Sequence, residues 1–562
     1  MIVSDFIAQY LKKRKINDIF MLTGYGSMYI NDSIKKYNIN YYATRNEATA
    51  PIMAEAYSRA SGKIGVACVT AGPGATNAIP GLAEAFVDSA PIIVISGQVD
   101  LKHTTYKTNS NEIRTFGTAE INIIPIVEPL TKYSKILTNP NDVLYELEKC
   151  FHICNNGRPG PVWLDVPLDI QKSKINIDKL RRYKIKIQDI SLKKISKFSL
   201  QIINLIKKSN KPLFIVGNGV KVSKTFSKIN QISKKFKIPI MFTRGAQDLA
   251  NHENSNIFEQ GGIKGSKYCK EIMTQTDLVI NFGSRLAPQF VGHDFSAFKK
   301  AKIISIDILK DELNKKGVKN YLKVNVDLKH FVPHFFKIVN QKLDEHFNPW
   351  MKICQKLKSE KKFIFPINNK KKLIDLYDFM YFLGTSAPKD SVLITDAGSN
   401  YYIGGQVWKF KKNQKEITSL TNAAMGLSIP LAIGASVAKK KTPILAVTGD
   451  GSLELNIQEL KTISHYNFEV NLFVINNGGY VSMHNWTDNY FKGRRVDSKK
   501  STGEGTLNLK DVAKAFGLPY YLINKKQHLE RQIKKIINKK GPKFVEVVTD
   551  NQQKIFDAFV DR

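Results

Sequence analysis

Along this chain of 562 residues, short runs of apolar and β-branched residues repeatedly stop at a Gly, Asp, Asn or Pro turn, and a helical pattern follows. Runs such as PIIVISG (91–97), DLVINFG (277–283) and PILAVTGDGS (443–452) carry no polar alternation. Each must therefore be buried on both faces, as strands of parallel sheets are once crossover helices cover them. The expectation is an α/β chain of three doubly wound parallel-sheet domains. The first spans 1–170, with strands IGVACVT (64–70), PIIVISG and GPVWLDVP (160–167). The second spans 199–340, with PLFIVGNG (212–219), IPIMFT (238–243), DLVINFG and AKIISIDI (301–308). The third spans 371–562, with SVLITDAGS (391–399), PILAVTGDGS and VNLFVINNGGY (470–480). A lysine-rich linker joins the first two, and a polar helical connector leads into the third.

A net charge of +36 raises nucleic-acid binding as a hypothesis. The lysines are spread along the whole chain, and Lys, Ile and Asn are abundant together, which reads as a solvated basic surface. No nucleic-acid partner is expected. The opening MIVSDFIAQYLKKRKIND reads as an amphipathic helix without the apolar core of a secretion signal. No apolar stretch is long enough for a membrane span. The five cysteines (Cys68, Cys150, Cys154, Cys269, Cys354) are odd in number and form no CxxC pair. Reduced thiols in a cytoplasmic protein are the expectation.

In open parallel sheets, ligands sit at the carboxyl ends of strands. There the third block places Gly449-Asp450-Gly451-Ser452 and, at the next strand end, Asn477, Gly479 and Tyr480. Glycines flanking a strand–helix turn let backbone N–H groups approach an anion. Asp450, the Asn477 side-chain carbonyl and the Gly479 backbone carbonyl form an oxygen donor set of the kind magnesium takes beside phosphates. The turn pair thus reads as a Mg²⁺–diphosphate site.

At this spacing the stretch resembles the signature of thiamine diphosphate-dependent enzymes, in their acetolactate synthase-like branch. The likeness extends to RNEATAPIMAEAYSRASGKIGVACVTAGPGATNAIPGLAEAFVDSAPIIVISGQV (45–99) and to ITDAGSNYYIGGQVWKFKKNQKEITSLTNAAMGLSIPLAIGASVA (394–438). The resemblance implies a pyrimidine-binding first domain, a Rossmann-like central domain and a diphosphate-binding third domain. It makes Glu47, in YYATRNEATA, the acid that drives thiamine to its reactive tautomer. It makes Met425 the apolar wedge under the cofactor, with the Ala423 carbonyl and the Met425 amide on the aminopyrimidine edge. Ala397, Gly398, Ser399 and Asn400 would lend groups to the diphosphate. It also implies a homodimer or homotetramer with active sites shared between subunits.

The activity implied is decarboxylation of a 2-oxo acid, pyruvate, and transfer of the resulting carbanion to a carbonyl acceptor. Departures fall around the acceptor: Asn46 stands where a histidine precedes the acid, Ala119 near an expected glutamine, and Ser399-Asn400 in place of a Gln-His. They tilt the reading towards a non-standard acceptor such as a keto-sugar nucleotide. Simple decarboxylation and 2-hydroxyacyl-CoA cleavage are further enzyme alternatives, and a catalytically silent basic scaffold is the non-enzyme one. The loop after NNGGY offers His484, Trp486, Tyr490, Arg494 and Arg495 as either pocket cap or substrate contacts. In the central block, Arg285 matches an arginine of flavin-binding relatives, but EQGGIKG (259–265) follows their glycine loop only loosely. The balance there is against bound FAD.

Overall fold

The computed structural model describes residues 1–108, 110, 112–185, 191–252, 254–367 and 373–559. The expected start of the third domain at 371, the chain end at 562 and linker residues 186–190 lie outside the described residues. Three six-stranded sheets, parallel throughout, account for the strands.

The first sheet holds β1 (Asp18–Met21), β2 (Asn40–Ala43), β3 (Gly65–Val69), β4 (Ile92–Gln98), β5 (Tyr133–Ile136) and β6 (Val162–Pro167), in the order β2-β1-β3-β4-β6-β5. The second holds β7 (Pro212–Val216), β8 (Ile240–Phe242), β9 (Ile257–Gln260), β10 (Leu278–Phe282), β11 (Lys302–Asp307) and β12 (Asn320–Asn325). Its order β9-β8-β7-β10-β11-β12 is that of a dinucleotide-type doubly wound sheet, with the switch point between β7 and β10. The third holds β13 (Val392–Thr395), β14 (Lys415–Thr418), β15 (Ile444–Gly449), β16 (Val470–Asn476), β17 (Tyr520–Ile523) and β18 (Lys543–Val548), ordered β14-β13-β15-β16-β18-β17. Every strand expected from an uninterrupted apolar run is present. The unexpected ones are short or polar: β1, β2, β5, β9, β14 and β17 have four residues each, and β12 (NYLKVN) and β18 (KFVEVV) carry charges.

The first and third sheets are joined through two helices. Thr49–Ser61 lies with its small residues Ala50, Ala54, Ala56 and Ala60 buried, and Ser428–Ala438 (SIPLAIGASVA) is buried nearly all round. A helix apolar on every side must be enclosed, and here the two enclose each other, so that one core runs through both sheets. The fit depends on Gly434, where an added Cβ would lie 2.1 Å from the Met53 carbonyl oxygen. Gly434→Leu is expected to cost about 3 kcal/mol through overpacking, read as a lowered urea midpoint. A midpoint unchanged from wild type would contradict this account of the junction.

The N-terminal helix, Val3–Lys13, is amphipathic as expected, with Val3, Phe6, Ile7, Tyr10 and Leu11 buried. All five cysteines are buried and unpaired. Burial pushes the Cys68 thiol up to about 12, so it stays protonated at neutral pH. Among the described residues, no helix is long and apolar enough to cross a membrane.

Candidate functional site

The carboxyl ends of β15 and β16 meet at Asp450. This buried residue accepts backbone N–H bonds on Oδ2 from Asn477 (3.1 Å), Gly478 (2.8 Å) and Gly479 (3.2 Å), and on Oδ1 from Gly451 (3.0 Å). One carboxylate thus clamps the turn after β16 onto the turn after β15. Burial raises the Asp450 carboxyl above its usual range, and those four bonds pull the other way. Beside it, Asn477 Oδ1 is buried with no hydrogen-bond partner. A buried amide oxygen without a donor is costly, and this one is available to a cation. The Gly479 carbonyl already accepts the Val481 N–H at 2.9 Å, which leaves one lone pair free. Tyr480 lies against Gly451, whose added Cβ would fall 2.3 Å from the ring. The donors are all hard oxygens, and they fit magnesium beside a diphosphate.

The sequence reading passed over the residue that knits these turns together. Asp396, fully buried at the end of β13, accepts from Thr448 Oγ1 (2.8 Å), Ser452 Oγ (2.7 Å) and the Ser428 amide (3.4 Å) on one oxygen, and from Asn400 Nδ2 (3.2 Å) on the other. It ties the Ala397–Asn400 turn, the Gly449–Ser452 turn and the Ser428 helix into one unit. Ser452 Oγ also accepts the Gly426 N–H at 2.8 Å, which fixes the loop that carries Ala423 and Met425. Ala423 is held at φ +49°, an unfavourable region for a residue with a Cβ, and Gly398 opens its turn at φ +88°. Met425 lies in the turn before Ser428, half-buried, because the helix starts only after Gly426 takes φ +78°.

Glu47 sits in the turn between β2 and the Thr49 helix, half-buried. Its Oε2 accepts from Asn77 Nδ2 at 3.1 Å, and its Oε1 lies 3.5 Å from where a Cβ on Gly74 would stand. The AGPGATN turn therefore faces the acid, and Asn77 is a second contact that sequence reasoning missed. Gly72 opens that turn at φ +53°, with its missing Cβ pointing 2.2 Å from the Ala119 carbonyl. The backbone around Glu47 is held from the third domain: buried Glu459 accepts from the Arg45 amide (2.7 Å), Thr49 Oγ1 (2.8 Å) and Thr462 Oγ1 (2.7 Å). Asn46 Oδ1 accepts the Ala48 amide at 2.8 Å, so it caps its own turn. Among the described residues, no hydrogen bond or ion pair links Glu47 directly to Asp450.

In the first sheet, β4 and β6 share a buried carboxylate. Asp165 accepts from Ser96 Oγ (2.5 Å) and Gln98 Nε2 (3.3 Å), and Gln98 also donates to the Ile121 carbonyl (2.9 Å). Burial pushes Asp165 up to about 7 although those two bonds pull it down. A raised carboxyl favours the native state while protonated, and that contribution is lost as pH climbs from about 4, the unfolded value, through about 7. Asp165→Asn cannot titrate, so wild type is expected to lose melting temperature relative to the variant across that window. Parallel melting curves from pH 4 to 8 would refute this.

His484 Nε2 meets the Ser498 carbonyl at 2.8 Å, Trp486 and Tyr490 stack on each other with centroids 5.5 Å apart, and Arg495 pairs with Asp488 at 2.7 Å. These bonds brace the segment that caps the Asn477 turn. In the central sheet, a cleft of about 660 Å³ opens at the β7/β10 switch point, and Gly219, Arg244, Gly283, Arg285 and Asp307 line it.

Models of thiamine pyrophosphate enzymes match the chain in three places. The N-terminal TPP binding domain covers residues 1–120, the central domain 200–335 and the C-terminal TPP binding domain 396–547. Over 516 residues the chain is 29% identical to the acetolactate synthase large subunit of Porphyra purpurea, covering 90% of this chain and 84% of that one. It is 27% identical over 555 residues to that of Lactococcus lactis, covering 98% and 93%. It is 28% identical over 566 residues to acetolactate synthase 2, chloroplastic, of Nicotiana tabacum, covering 98% and 82%.

Proposed function

The chain belongs to the thiamine pyrophosphate (thiamine diphosphate) enzyme family, and from that premise we propose that it is an acetolactate synthase-like carboligase acting on pyruvate. The observation that carries the reading is the Asp450 clamp with the orphaned Asn477 Oδ1 beside it, inside the segment matched by the C-terminal TPP binding domain. Bound thiamine diphosphate supplies a nucleophilic carbon and an electron sink for loss of CO₂ from a 2-oxo acid.

The chain's own residues do the rest. Asp450, Asn477 Oδ1 and the Gly479 carbonyl would hold Mg²⁺, with the Gly449–Ser452 and Ala397–Asn400 turns around the diphosphate. Asp396 keeps those turns in register. The Ala423 carbonyl and Met425 amide would hold the pyrimidine edge, with the Met425 side chain beneath it. Glu47, oriented by Asn77 at Oε2, would hold the proton at Oε1 and exchange it with the pyrimidine. Among the described residues, no bond links Glu47 directly to Asp450 within one chain, and both domains that carry them expose large apolar side chains: Tyr25, Met28 and Phe116 in the first, Leu455, Met483 and Trp486 in the third. Such patches favour burial against a second copy. A homodimer, or a tetramer built from it, would complete each site.

For the acceptor, a second pyruvate is favoured over a keto-sugar nucleotide, because the relatives matched along their length are acetolactate synthases and Asn46 is already engaged in its turn. For the central cleft the reading is no FAD, since Gly217-Asn218-Gly219 lacks the last glycine of a dinucleotide fingerprint. A colourless purified protein supports that, and a yellow one overturns it. The five unpaired thiols support a reducing compartment, the cytoplasm.

The test is purified protein with thiamine diphosphate, Mg²⁺ and pyruvate, followed by CO₂ release and product mass. Acetolactate is the expected product. No turnover on pyruvate, alone or with a carbonyl acceptor, would sink the proposal.

A further inference from the structure

The capping segment delivers one side chain that neither the motif nor the function accounts for. Glu504 is 7% exposed, and both of its carboxylate oxygens lack a hydrogen-bond partner. Among the described residues no ion pair reaches it. Its position is set by the loop before it. Ser498 O takes the Tyr480 N–H at 3.0 Å and the His484 ring at 2.8 Å, and Thr502 bonds back to Asp497, Ser498 and Lys499. That compact loop turns Glu504 inward, over the two glycines that flank the Asp450 clamp. A Cβ built on Gly479 would lie 2.6 Å from Glu504 Oε2, and one built on Gly451 would lie 3.1 Å from Oε1. Any side chain at either glycine would push this carboxylate away.

Two carboxylates thus share one buried spot, Asp450 and Glu504, with Asn477 Oδ1 alongside as a third oxygen without a donor. A buried, unpaired carboxylate is among the costliest groups a fold can carry, and a second one nearby raises the cost. Asp450 Oδ2 takes three backbone amides and Oδ1 one, whereas both oxygens of Glu504 are free. Among the described residues no group of three His, Cys, Asp or Glu is arranged to hold a metal. A cation here would therefore draw on carboxylate, amide and backbone oxygens together, which is the chemistry of Mg²⁺ or Mn²⁺ and not of a soft metal.

We propose that Glu504 is an additional protein ligand of the divalent cation, completing with Asp450, Asn477 and Gly479 a seat that binds the metal before any diphosphate arrives. The proposal rests on the cofactor-site reading above and adds to it a residue and an order of binding. A seat with one carboxylate depends on the phosphates for most of its negative charge, whereas a seat with two does not.

Mn²⁺ binding to cofactor-free protein, read by loss of the free-ion EPR signal, tests this without any turnover. Wild type is expected to bind one Mn²⁺ per chain without thiamine diphosphate. Glu504→Gln should weaken that binding at least tenfold, and adding thiamine diphosphate should restore most of it. Glu504→Asp should fall between them. No Mn²⁺ binding by wild type unless thiamine diphosphate is present would overturn the proposal and leave the cofactor site standing. Undiminished Mn²⁺ affinity in folded Glu504→Gln would do the same. Absence of Mn²⁺ binding even with thiamine diphosphate would overturn both together. Because the first arm uses wild type alone, it decides even if the variants do not fold.

Discussion

Glu47→Gln is expected to fold, to hold thiamine diphosphate and Mg²⁺, and to turn pyruvate over about a thousandfold more slowly than wild type. The substitution keeps the size of the side chain, and Asn77, free on the exposed rim of its turn, can rotate its amide to meet Gln as it meets Glu. The turn itself is held by Glu459 through the Arg45 amide and Thr49, neither of which the substitution touches. Only the ability to take and give a proton is removed. Initial rates of CO₂ release alongside cofactor titration separate the two effects. Wild-type rates in Glu47→Gln would remove the residue from the chemistry while leaving the cofactor site intact.

Asp450→Ala is expected to be more disruptive, and in a different way. Four backbone N–H groups at two strand ends lose their acceptor together, and each buried donor left unmet costs roughly 1–3 kcal/mol, less where water can enter. The turn after β16 then loses its hydrogen bonds to the turn after β15. Loss of thiamine diphosphate binding by at least about a hundredfold is expected, with a melting temperature below that of wild type. Asp450→Asn keeps one acceptor oxygen and should recover much of the stability but little of the binding. Equal loss of stability in both variants would contradict the clamp.

Sequence alone was sufficient where chemistry sits at strand ends. The long apolar runs placed β15 and β16, and the Gly-Asp-Gly and Asn-Asn turns followed from where those runs stop. It was insufficient where a residue acts through space. Asp396 lies in the quoted ITDAGS turn, but its four partners come from three separate segments, and nothing local marks it as their hub. Glu459 supports Glu47 across more than 400 residues of chain. Glu504 has no motif at all, and only its burial without a partner singles it out. Met425 lies just before a helix that is apolar almost throughout. The left-handed Gly426 that delays the helix gives no periodic signal.

The first and third sheets have the same strand order, 2-1-3-4-6-5 in each one's own numbering. The helices that join them are matching elements, each the one that follows the second strand of its sheet. Like elements thus pack against each other across that junction. The turn before one helix carries Glu47 and the turn before its counterpart carries Met425. The two candidate site residues, one acidic and one apolar, thus come from like corners of two like-ordered sheets.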